Sequence, residues 1–367
     1  MKFFSHFFRT PSYLHVPAFG LDISDNSLKY ARLAPRGDGF VLGEYGQAEI
    51  PAGIIASGVI LKEAALTEIL SRAFALKRNL HYVSLSLPEE KGFVRVVRLP
   101  LMSPEELQEA VPLQLEEQVP LSAAEASMSY QVLPPDQPGA EYQDIVLVAF
   151  PRGLVDSYIT TARAAGLIPI ALELEAQATS RSVIPASERS KTILIADIGL
   201  TRTGFMIVEN GVVEFTSTMP IGGKHINQAI QDTLRVSAAE TEKVKIRYGL
   251  SPSPEGTQIT LALAPILAAI REEAARRIEF WHAHAVDLGK KTTREVEKMF
   301  LCGGDANLIG FTGYLSAELN IPVSLANVWV NTSRNHSYVP EIEFNASLGY
   351  ATAVGLALGV AGKDFAL

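Results

Sequence analysis

The sequence is poor in cysteine, in positive charge and in long apolar segments. Its single cysteine, Cys302, cannot form an intramolecular disulfide or a thiolate metal site, which predicts a cytoplasmic protein. The longest apolar run, Ala346 to Gly362, is rich in small residues and falls short of the roughly 20 residues that span a membrane. With 32 Lys and Arg against 40 Asp and Glu, the net charge is −8, which argues against a nucleic-acid partner.

Common nucleotide and hydrolase motifs are also absent. The sequence contains no G-x-x-x-x-G-K-[ST], G-x-G-x-x-G, G-x-S-x-G, H-E-x-x-H or C-x-x-C. Its 367 residues are 47% hydrophobic and 20% charged, which is typical of a globular protein with two or more domains.

Hydrophobic periodicity predicts strands that alternate with helices, and therefore an α/β protein. The predicted strands are 82–87, 93–99, 126–133, 144–150 and 298–302. The predicted helices are 63–76, 104–118, 154–165, 226–234, 238–248, 259–284 and 347–358.

Two strand-turn-strand units, far apart in the chain, resemble each other. The first reads FGLDIS, DNSL and KYARLA from Phe19, and the second is ILIADIGLTRTGFMIVEN at 193–210. Each begins with an apolar strand that ends in an aspartate, Asp22 or Asp197. The repeated pattern predicts a chain built of two related halves.

The turns at these strand ends carry groups that suit a phosphorylated ligand. Asp22 to Lys29 combines a carboxylate, backbone N–H groups, the hydroxyls of Ser24 and Ser27, and an ammonium group, which suits phosphate and a hydrated Mg²⁺. The second turn offers a matching set in Asp197, Gly199, Thr201 and Thr203. Two glycine pairs, Gly222-Gly223 and Gly303-Gly304, allow a backbone to approach a flat ligand closely. We therefore expect the ligand at these strand ends.

The ordered motifs resemble those of the actin, Hsp70 and FtsA superfamily of nucleotide-binding proteins. They are LDISDNSLK, LIADIGLTRTG, PIGGKHIN, the E-x-x-K of Glu242 and Lys245, and FLCGGDANLIG. Further stretches extend the resemblance from Phe19 to about Leu358 and narrow it to the PilM family of type IV pilus assembly: YVSLSLP, VRVVRLPLMSPEEL, EEQVPLS and AAGLIPIALELEAQATSR.

The resemblance implies an actin-like ATPase fold, in which two RNase-H-like domains close over ATP or ADP with Mg²⁺. Domain 1 would cover 19–192, with an inserted subdomain called 1C at about 101–170, and domain 2, with parts 2A and 2B, would cover 193–345. A tail at 1–18 would precede them, and a C-terminal helix at 346–367 would return to domain 1.

The resemblance also implies roles for single residues. Asp22 and Asp197 would flank the metal, and Glu175 would orient water for hydrolysis. The other implied nucleotide ligands are Ser24, Asn26, Ser27, Lys29, Gly199, Thr201, Thr203, Gly222, Gly223, Glu242, Lys245, Gly303, Gly304 and Asp305, with the E-x-x-K pair holding sugar hydroxyls. One residue departs from the family pattern: the first turn usually reads D-I-G, and here Ser24 replaces the glycine, which would weaken phosphate binding, with Asp25 adding negative charge beside it.

The implied function is that of a nucleotide-dependent adaptor with slow hydrolysis at most. Its partner would be the cytoplasmic N-terminal tail of PilN, lying in a groove between subdomains 1A and 1C near Arg95, Arg98 and the helix from Ser103. PilN and PilO would link it to the inner membrane, and a motor ATPase and a platform protein would be further partners.

Alternative functions stay open from the residues. One is an FtsA-like membrane tether for cell division, which needs a membrane-binding helix that only the Phe-rich N-terminus could supply. Another is a sugar or acetate kinase of the same fold, for which the sequence offers no additional polar cluster. Filament formation, as in actin, is a third.

Overall fold

The computed structural model describes residues 17–37, 39–77, 79–135, 139–287, 295–332 and 338–361, with the backbone alone at 284–287. The Phe-rich part of the predicted tail, at 1–16, and the last residues of the predicted C-terminal segment, at 362–367, lie outside the described residues. Within the described ranges, no helix combines the length and the hydropathy that crossing a bilayer requires.

The described residues form fifteen strands and ten helices. The strands are β1 (Ala18–Ile23), β2 (Ser27–Arg36), β3 (Gly39–Glu49), β4 (Ile55–Ala56), β5 (Val59–Ile60), β6 (Tyr82–Leu87), β7 (Phe93–Pro100), β8 (Ala126–Val132), β9 (Tyr142–Pro151), β10 (Ile168–Leu174), β11 (Thr192–Ile198), β12 (Thr203–Glu209), β13 (Val212–Met219), β14 (Lys298–Cys302) and β15 (Val323–Leu325). The helices are α1 (Glu63–Phe74), α2 (Pro104–Gln118), α3 (Arg152–Ala164), α4 (Glu175–Val183), α5 (Gly223–Leu234), α6 (Ala238–Arg247), α7 (Pro254–Asp287), α8 (Phe311–Leu319), α9 (Phe344–Ser347) and α10 (Ala351–Val360).

Two five-stranded sheets repeat one topology. The first has the order β10-β6-β1-β2-β3, and the second has the order β15-β14-β11-β12-β13. Strand β1 pairs antiparallel with β2 and parallel with β6, and β11 in the same way pairs antiparallel with β12 and parallel with β14. This repeat confirms the prediction of two related halves. The central strands β1 and β11 are buried in both halves, as their continuous apolar sequences indicate.

The C-terminal helix α10 packs against the first sheet. A Cβ atom on Gly20 of β1 would lie 2.1 Å from the carbonyl oxygen of Ala353, and one on Gly355 would lie 1.7 Å from that of Ala178 in α4. The backbones therefore approach too closely for any larger residue at these two positions. A hydrogen bond between the hydroxyls of Thr179 and Thr352, 2.9 Å long, joins α4 to α10.

A smaller unit is inserted between β6 and β10. Its three strands, in the order β7-β9-β8, share a separate apolar core with Leu107, Val111 and Leu115 of α2. A capping box begins α2: Ser103 Oγ accepts from the Glu106 N–H at 3.2 Å, and Glu106 accepts from the Ser103 N–H at 2.7 Å. Strand β7 pairs with β9 from Phe93 onward, so the sheet of this unit begins before residue 101, where the inserted subdomain was predicted to start.

Several other elements differ from the predictions: β13, β15 and α8 were not predicted, and α7 and β3 differ for reasons that the structure shows. Helix α7 begins at Pro254, within the stretch SPSPEGT that reads as a break, because Ser253 Oγ accepts from the Gly256 N–H at 3.0 Å and caps the helix. Strand β3 was not predicted, because GFVLGEYGQAE has three glycines and lies at a sheet edge where its side chains are half-buried.

Candidate functional site

A cleft of about 500 Å³ lies between the two halves, at the ends of β1 and β11. Of the predicted site residues, those that line it are Asp22, Ser24, Asn26, Ser27, Lys29, Glu175, Asp197, Gly199, Thr201, Gly303, Gly304 and Asp305. The structure therefore brings together residues that are up to 283 positions apart in the chain, since Asp22 and Asp305 line one cleft.

Hydrogen bonds from β6 and within the turn hold the polar groups of the first turn in place. Ser86 Oγ donates to Asp22 Oδ1 at 2.9 Å and accepts from the Ile23 N–H, which fixes the carboxylate at the end of β1. Lys29 Nζ donates to Ser27 Oγ at 3.2 Å. Burial raises the pKa of Asp22, although the Lys29 ammonium and the Ser86 hydroxyl both lower it.

The side chain of Ser24 is turned into the first turn. Its hydroxyl donates to the carbonyl oxygen of Ser27 at 2.9 Å, in parallel with the bond from the Ser24 N–H to the same oxygen. Asp25 is likewise engaged, because its carboxylate accepts from the N–H groups of Ser57 and Gly58 at 3.0 Å. The side chains of Ser24 and Asp25 are therefore both hydrogen-bonded to the protein's own backbone.

The glycine pair at the start of α5 supports the second turn. The Gly223 N–H donates to the Gly199 carbonyl at 2.9 Å, and the Lys224 N–H donates to that of Leu200 at 2.7 Å. A Cβ atom on Gly222 would lie 2.4 Å from the Gly199 oxygen, so only glycine fits there. Neither Gly222 nor Gly223 lines the cleft itself.

Asp197 lies at the end of β11 beside Gly303, which has φ +95°. Burial and, to a smaller extent, the charge of Asp22 raise the pKa of Asp197 to about 6, against the lowering effect of Arg202 and Lys29. Gly304, the other glycine of the pair, lines the cleft with open space where a Cβ would be. This side of the cleft therefore offers a carboxylate and an accessible backbone next to each other.

Lys245 lies beneath the cleft rather than in its wall. Its ammonium group, 1% exposed, donates to Asp305 Oδ1 at 2.7 Å, to Glu242 Oε1 at 3.0 Å and to Asn227 Oδ1 at 3.2 Å. Three acceptors use all three of its protons. In this structure Lys245 therefore positions Asp305, and contact of the Glu242 and Lys245 pair with a sugar stays a prediction.

Thr203 does not face the cleft. Its side chain is buried, and its hydroxyl donates to the carbonyl oxygen of Ile221 at 2.7 Å. The residue occupies the first position of β12, where alternation turns its side chain away from that of its neighbour, Arg202. Arg202, which none of the quoted motifs singles out, lines the cleft instead.

Arg202 joins the second half to three carboxylates of the first. Its Nη1 lies 2.8 Å from Glu90 Oε1 and 3.9 Å from Asp25 Oδ2, and its Nη2 lies 3.4 Å from both oxygens of Glu175. Burial alone would lower the pKa of Arg202, but these carboxylates raise it. The sequence signal for this residue was a cation inside a turn that reads as phosphate-binding.

The carboxyl groups around Arg202 are strongly perturbed. Burial raises the pKa of Glu175 to about 8 against the lowering effect of Arg202. Burial also raises the pKa of Glu89 well above its ordinary value, and the charges of Glu175 and Asp197 add to the shift. Glu89 lines the cleft, is 5% exposed, and its Oε1 has no hydrogen-bond partner among the described residues. Such groups typically mark a ligand site.

The donor set fits a nucleotide with a hydrated Mg²⁺. Mg²⁺ keeps several waters and is usually held by one or two carboxylates together with phosphate oxygens, and Asp22 and Asp197 supply two carboxylates. The described residues contain no group of three or more acidic, His or Cys side chains arranged around a metal, so a cage formed by protein ligands alone is not built there. The open space at Gly304 admits a ligand close to the backbone.

A second groove, of about 470 Å³, lies between the inserted unit and the first sheet. Consecutive residues of two edge strands line it, 127–131 of β8 and 171–174 of β10. In the described sheets β8 pairs with β9 alone and β10 pairs with β6 alone, so each has an unpaired edge. Gln177 and Arg181 of α4 complete the groove, and Arg181 is paired with Glu173 at 2.5 Å.

Arg95 and Arg98 lie away from this groove, contrary to the prediction from sequence. Both belong to β7, at the opposite edge of the inserted sheet from β8. Arg98 donates to both carboxylate oxygens of the buried Asp144, at 2.8 and 2.9 Å, and stacks on the Tyr142 ring at 4.0 Å. A bidentate pair of this kind stabilises the inserted sheet and engages the Arg98 guanidinium group with Asp144.

Comparison with known proteins gives one extensive family match. A family model described as type IV pilus assembly protein PilM matches residues 20–360. Among curated proteins, the cell division protein FtsA of Streptococcus pneumoniae serotype 2 is 22% identical over 222 residues, 58% of this chain and 49% of FtsA. FtsA of Neisseria meningitidis serogroup B is 29% identical over 86 residues, 23% of this chain and 21% of FtsA. The chain thus matches half or less of the length of these curated relatives.

Solved structures share the fold over nearly the whole chain. A structure described as the PilM-PilN type IV pilus biogenesis complex has a TM-score of 0.76 at 24% identity, covering 94% of this chain and 99% of that one. The ethanolamine utilization protein EutJ of Carboxydothermus hydrogenoformans has a TM-score of 0.53 at 14% identity, covering 93% and 88%. MreB5 of Spiroplasma citri bound to AMPPNP has a TM-score of 0.53 at 14% identity, covering 93% and 95%. These likenesses establish the actin-like fold.

Proposed function

The chain belongs to the PilM family of type IV pilus assembly proteins, and from this premise we propose that it is a nucleotide-dependent adaptor of the pilus assembly complex. ATP or ADP binds in the cleft between the two halves, and the groove beside the inserted unit binds a peptide. The output of the protein is the binding of partners, and hydrolysis of the nucleotide is slow at most.

The observation that carries the nucleotide proposal is the cleft lined from both halves by matching turns. Asp22 and Lys29 come from the first half, and Asp197 and Thr201 come from the second. A ligand held by both halves stabilises the arrangement in which they face each other, because it binds that arrangement better than any other. The fold is shared with MreB5, whose structure contains AMPPNP.

Asp22 and Asp197 are the carboxylates that would hold Mg²⁺ through its water shell. The metal neutralises phosphate charge when it is bound. This chain's own contribution is positional: Ser86 orients Asp22, and Gly303 leaves room for the Asp197 carboxylate. All four of Gly199, Thr201, Gly303 and Gly304 line the cleft, where the first two would offer backbone and hydroxyl groups to the phosphates and the last two would border the nucleoside.

The peptide that we propose for the groove is the cytoplasmic N-terminal tail of PilN. The similar structure is described as a PilM-PilN complex, and the groove here has the properties that an extended peptide needs. The unpaired edges of β8 and β10 can each add a strand, and alternate side chains of that strand would contact Met128, Tyr130 and Leu172. Through PilN and PilO the adaptor would lie at the cytoplasmic face of the inner membrane, where the motor ATPase and the platform protein are further candidate partners.

Calorimetric titration of the purified chain tests both parts. The first titrant is ATP with Mg²⁺ and the second is a synthetic peptide of the PilN tail. Asp197→Asn is expected to weaken nucleotide binding and to leave peptide binding unchanged. Met128→Glu is expected to weaken peptide binding and to leave nucleotide binding unchanged. Leu113→Glu is a matched control for the groove, because Leu113 is exposed and lies outside the groove lining.

Each part can fail separately. A chain that binds neither ATP nor ADP would contradict the nucleotide part, and the fold would then act as a scaffold alone. A peptide that binds the wild type and Met128→Glu equally would contradict the proposed groove.

A further inference from the structure

We propose that Arg202 is a ligand of the terminal phosphate and makes the cleft bind a nucleoside triphosphate in preference to a diphosphate. This inference rests on the proposed nucleotide site and assigns its specificity to one residue.

The position of Arg202 is the first observation. It lies in the second turn, between Thr201, which lines the cleft, and Thr203, which anchors the turn to Ile221. The Arg202 carbonyl accepts from the Gly199 N–H at 3.0 Å, so the residue is fixed in the turn whose backbone faces the proposed phosphate position. Its side chain is 19% exposed and borders the cleft.

The charge balance of the cleft is the second observation. Among its described lining residues only Lys29 and Arg202 are cationic. The acidic lining residues are Asp22, Asp25, Glu49, Glu89, Glu175, Asp197 and Asp305. A triphosphate adds further negative charge, and Mg²⁺ offsets only part of it. Arg202 is therefore one of the two cationic side chains in the described cleft lining that can neutralise the terminal phosphate of the nucleotide.

The present partners of Arg202 leave it able to exchange. Only the contact to Glu90, at 2.8 Å, has the length of a strong ion pair. The contacts to Glu175 at 3.4 Å and to Asp25 at 3.9 Å are long. A guanidinium group has five N–H donors and binds phosphate in a bidentate manner, so it has donors to offer a phosphate that enters the cleft.

An exchange of partners has a consequence for Glu175. When the terminal phosphate takes Nη2 of Arg202, the Glu175 carboxyl group loses its cationic neighbour and becomes free to contact water. A diphosphate, which lacks the terminal phosphate, would leave Arg202 with Glu175. The same residue thereby discriminates ATP from ADP and controls the group that was predicted to orient water.

The test compares the dissociation constants of a non-hydrolysable ATP analogue and of ADP, both with Mg²⁺, for a set of variants. Arg202→Gln is expected to raise the dissociation constant of the analogue about 10- to 100-fold, the range expected for a lost charge-assisted contact, and that of ADP less than about 3-fold. Arg202→Lys, which retains the charge but not the fork of donors, is expected to fall between wild type and Arg202→Gln. Glu90→Gln removes the charge of the closest partner of Arg202 and is expected to lower the dissociation constant of the analogue about 2- to 10-fold.

Arg95→Gln is the matched control, because it removes the same charge on the inserted unit, outside the cleft lining, and is expected to change neither constant. An Arg202→Gln variant that loses affinity for both nucleotides equally would overturn the proposal and leave Arg202 a clasp between the halves. Weaker binding of the analogue by Glu90→Gln would overturn it as well. If Arg202→Gln does not fold, Arg202→Lys and Glu90→Gln decide. Failure of the wild type to bind either nucleotide would instead contradict the proposed function on which this inference rests.

Discussion

A Cβ atom on Gly303 would lie 2.4 Å from Oδ1 of Asp197, closer than real Cβ contacts allow. Gly303 also has φ +95°, a backbone conformation that residues with a Cβ rarely adopt. Two features therefore require glycine at this position: the conformation of its own backbone and the space that the Asp197 carboxylate on the neighbouring strand needs.

Gly303→Ala is expected to lower the free energy of unfolding by about 1–3 kcal/mol, because the alanine is strained and displaces Asp197. Urea denaturation of the nucleotide-free protein measures the change. Gly304→Ala is the matched control, since the space around that position is open and φ is not positive. Its free energy of unfolding is expected to stay within about 0.5 kcal/mol of the wild type. Equal losses for the two variants would contradict the argument.

Lys245→Met is expected to be strongly destabilising. The substitution leaves the Asp305 carboxylate without its closest cation, and breaking one partner of a buried ion pair typically costs about 3–5 kcal/mol. The free energy of unfolding from denaturant titration measures this cost. The double variant Lys245→Met with Asp305→Asn is expected to recover part of the loss, because no buried carboxylate is then left without its cation, and Glu242, the other acidic partner of Lys245, is half exposed.

Arg72→Ala serves as the control for this pair. Arg72 and Glu68 form an ion pair on the surface of α1, with side chains 78% and 63% exposed. Surface pairs contribute about 0–1 kcal/mol, so the loss is expected to be several times smaller. A Lys245→Met variant as stable as Arg72→Ala would contradict the structural role assigned to Lys245.

The residues alone predicted the parts of the site that lie within one turn, and the resemblance predicted that distant turns meet, but neither predicted the contacts of Arg202. Asp22, Ser27 and Lys29 are close in the chain, so their spacing alone predicts a shared turn. The partners of Arg202 lie 27 to 177 residues away, from Glu175 to Asp25, and no local pattern specifies such pairs. Thr203 lies outside the cleft lining because alternation in the first residues of β12 decides which side chain faces the cleft, and a turn motif does not reveal that register.

The two sheets were predictable for a related reason. Buried parallel strands such as ILIADI read as continuous apolar runs, and the aspartate at the end of each run indicates where the strand leaves the core. Strand β3 lies at an edge, where neither face is fully buried, so the apolar signal is weak and the strand escaped prediction.

The free energy of unfolding without nucleotide and metal is expected to fall as the pH rises from about 5 to about 8. The pKa of Glu175 is raised from 4.5 to about 8 and that of Asp197 from 3.8 to about 6 in the folded state. Above pH 5 the folded protein therefore binds more protons than the unfolded chain, and stability decreases with pH until these groups ionise in both states. The slope has an upper limit of about 1.4 kcal/mol per pH unit for each group.

Urea denaturation at several pH values, with a chelator present, measures this dependence. Glu175→Gln removes one of the titrating groups and is expected to flatten the curve above pH 6. Glu109→Gln, on the exposed face of α2, is the control and is expected to leave the slope unchanged. A stability that rises between pH 5 and pH 8 would contradict the burial of these carboxyl groups.

Ser24→Gly restores the residue that the family usually has at this position. The change is expected to lower the stability of the protein and to leave its nucleotide affinity nearly unchanged. The Ser24 hydroxyl donates to the Ser27 carbonyl and lies 3.2 Å from the Ser27 hydroxyl, so its removal is expected to lower the free energy of unfolding by about 1 kcal/mol. Because that hydroxyl is turned into the turn, the dissociation constant of ATP with Mg²⁺ is expected to change less than about 3-fold. Calorimetry and urea denaturation of the same preparation measure the two quantities. An affinity gain of tenfold or more would mean that the serine side chain obstructs the phosphates, and the first turn would then be a weakened site.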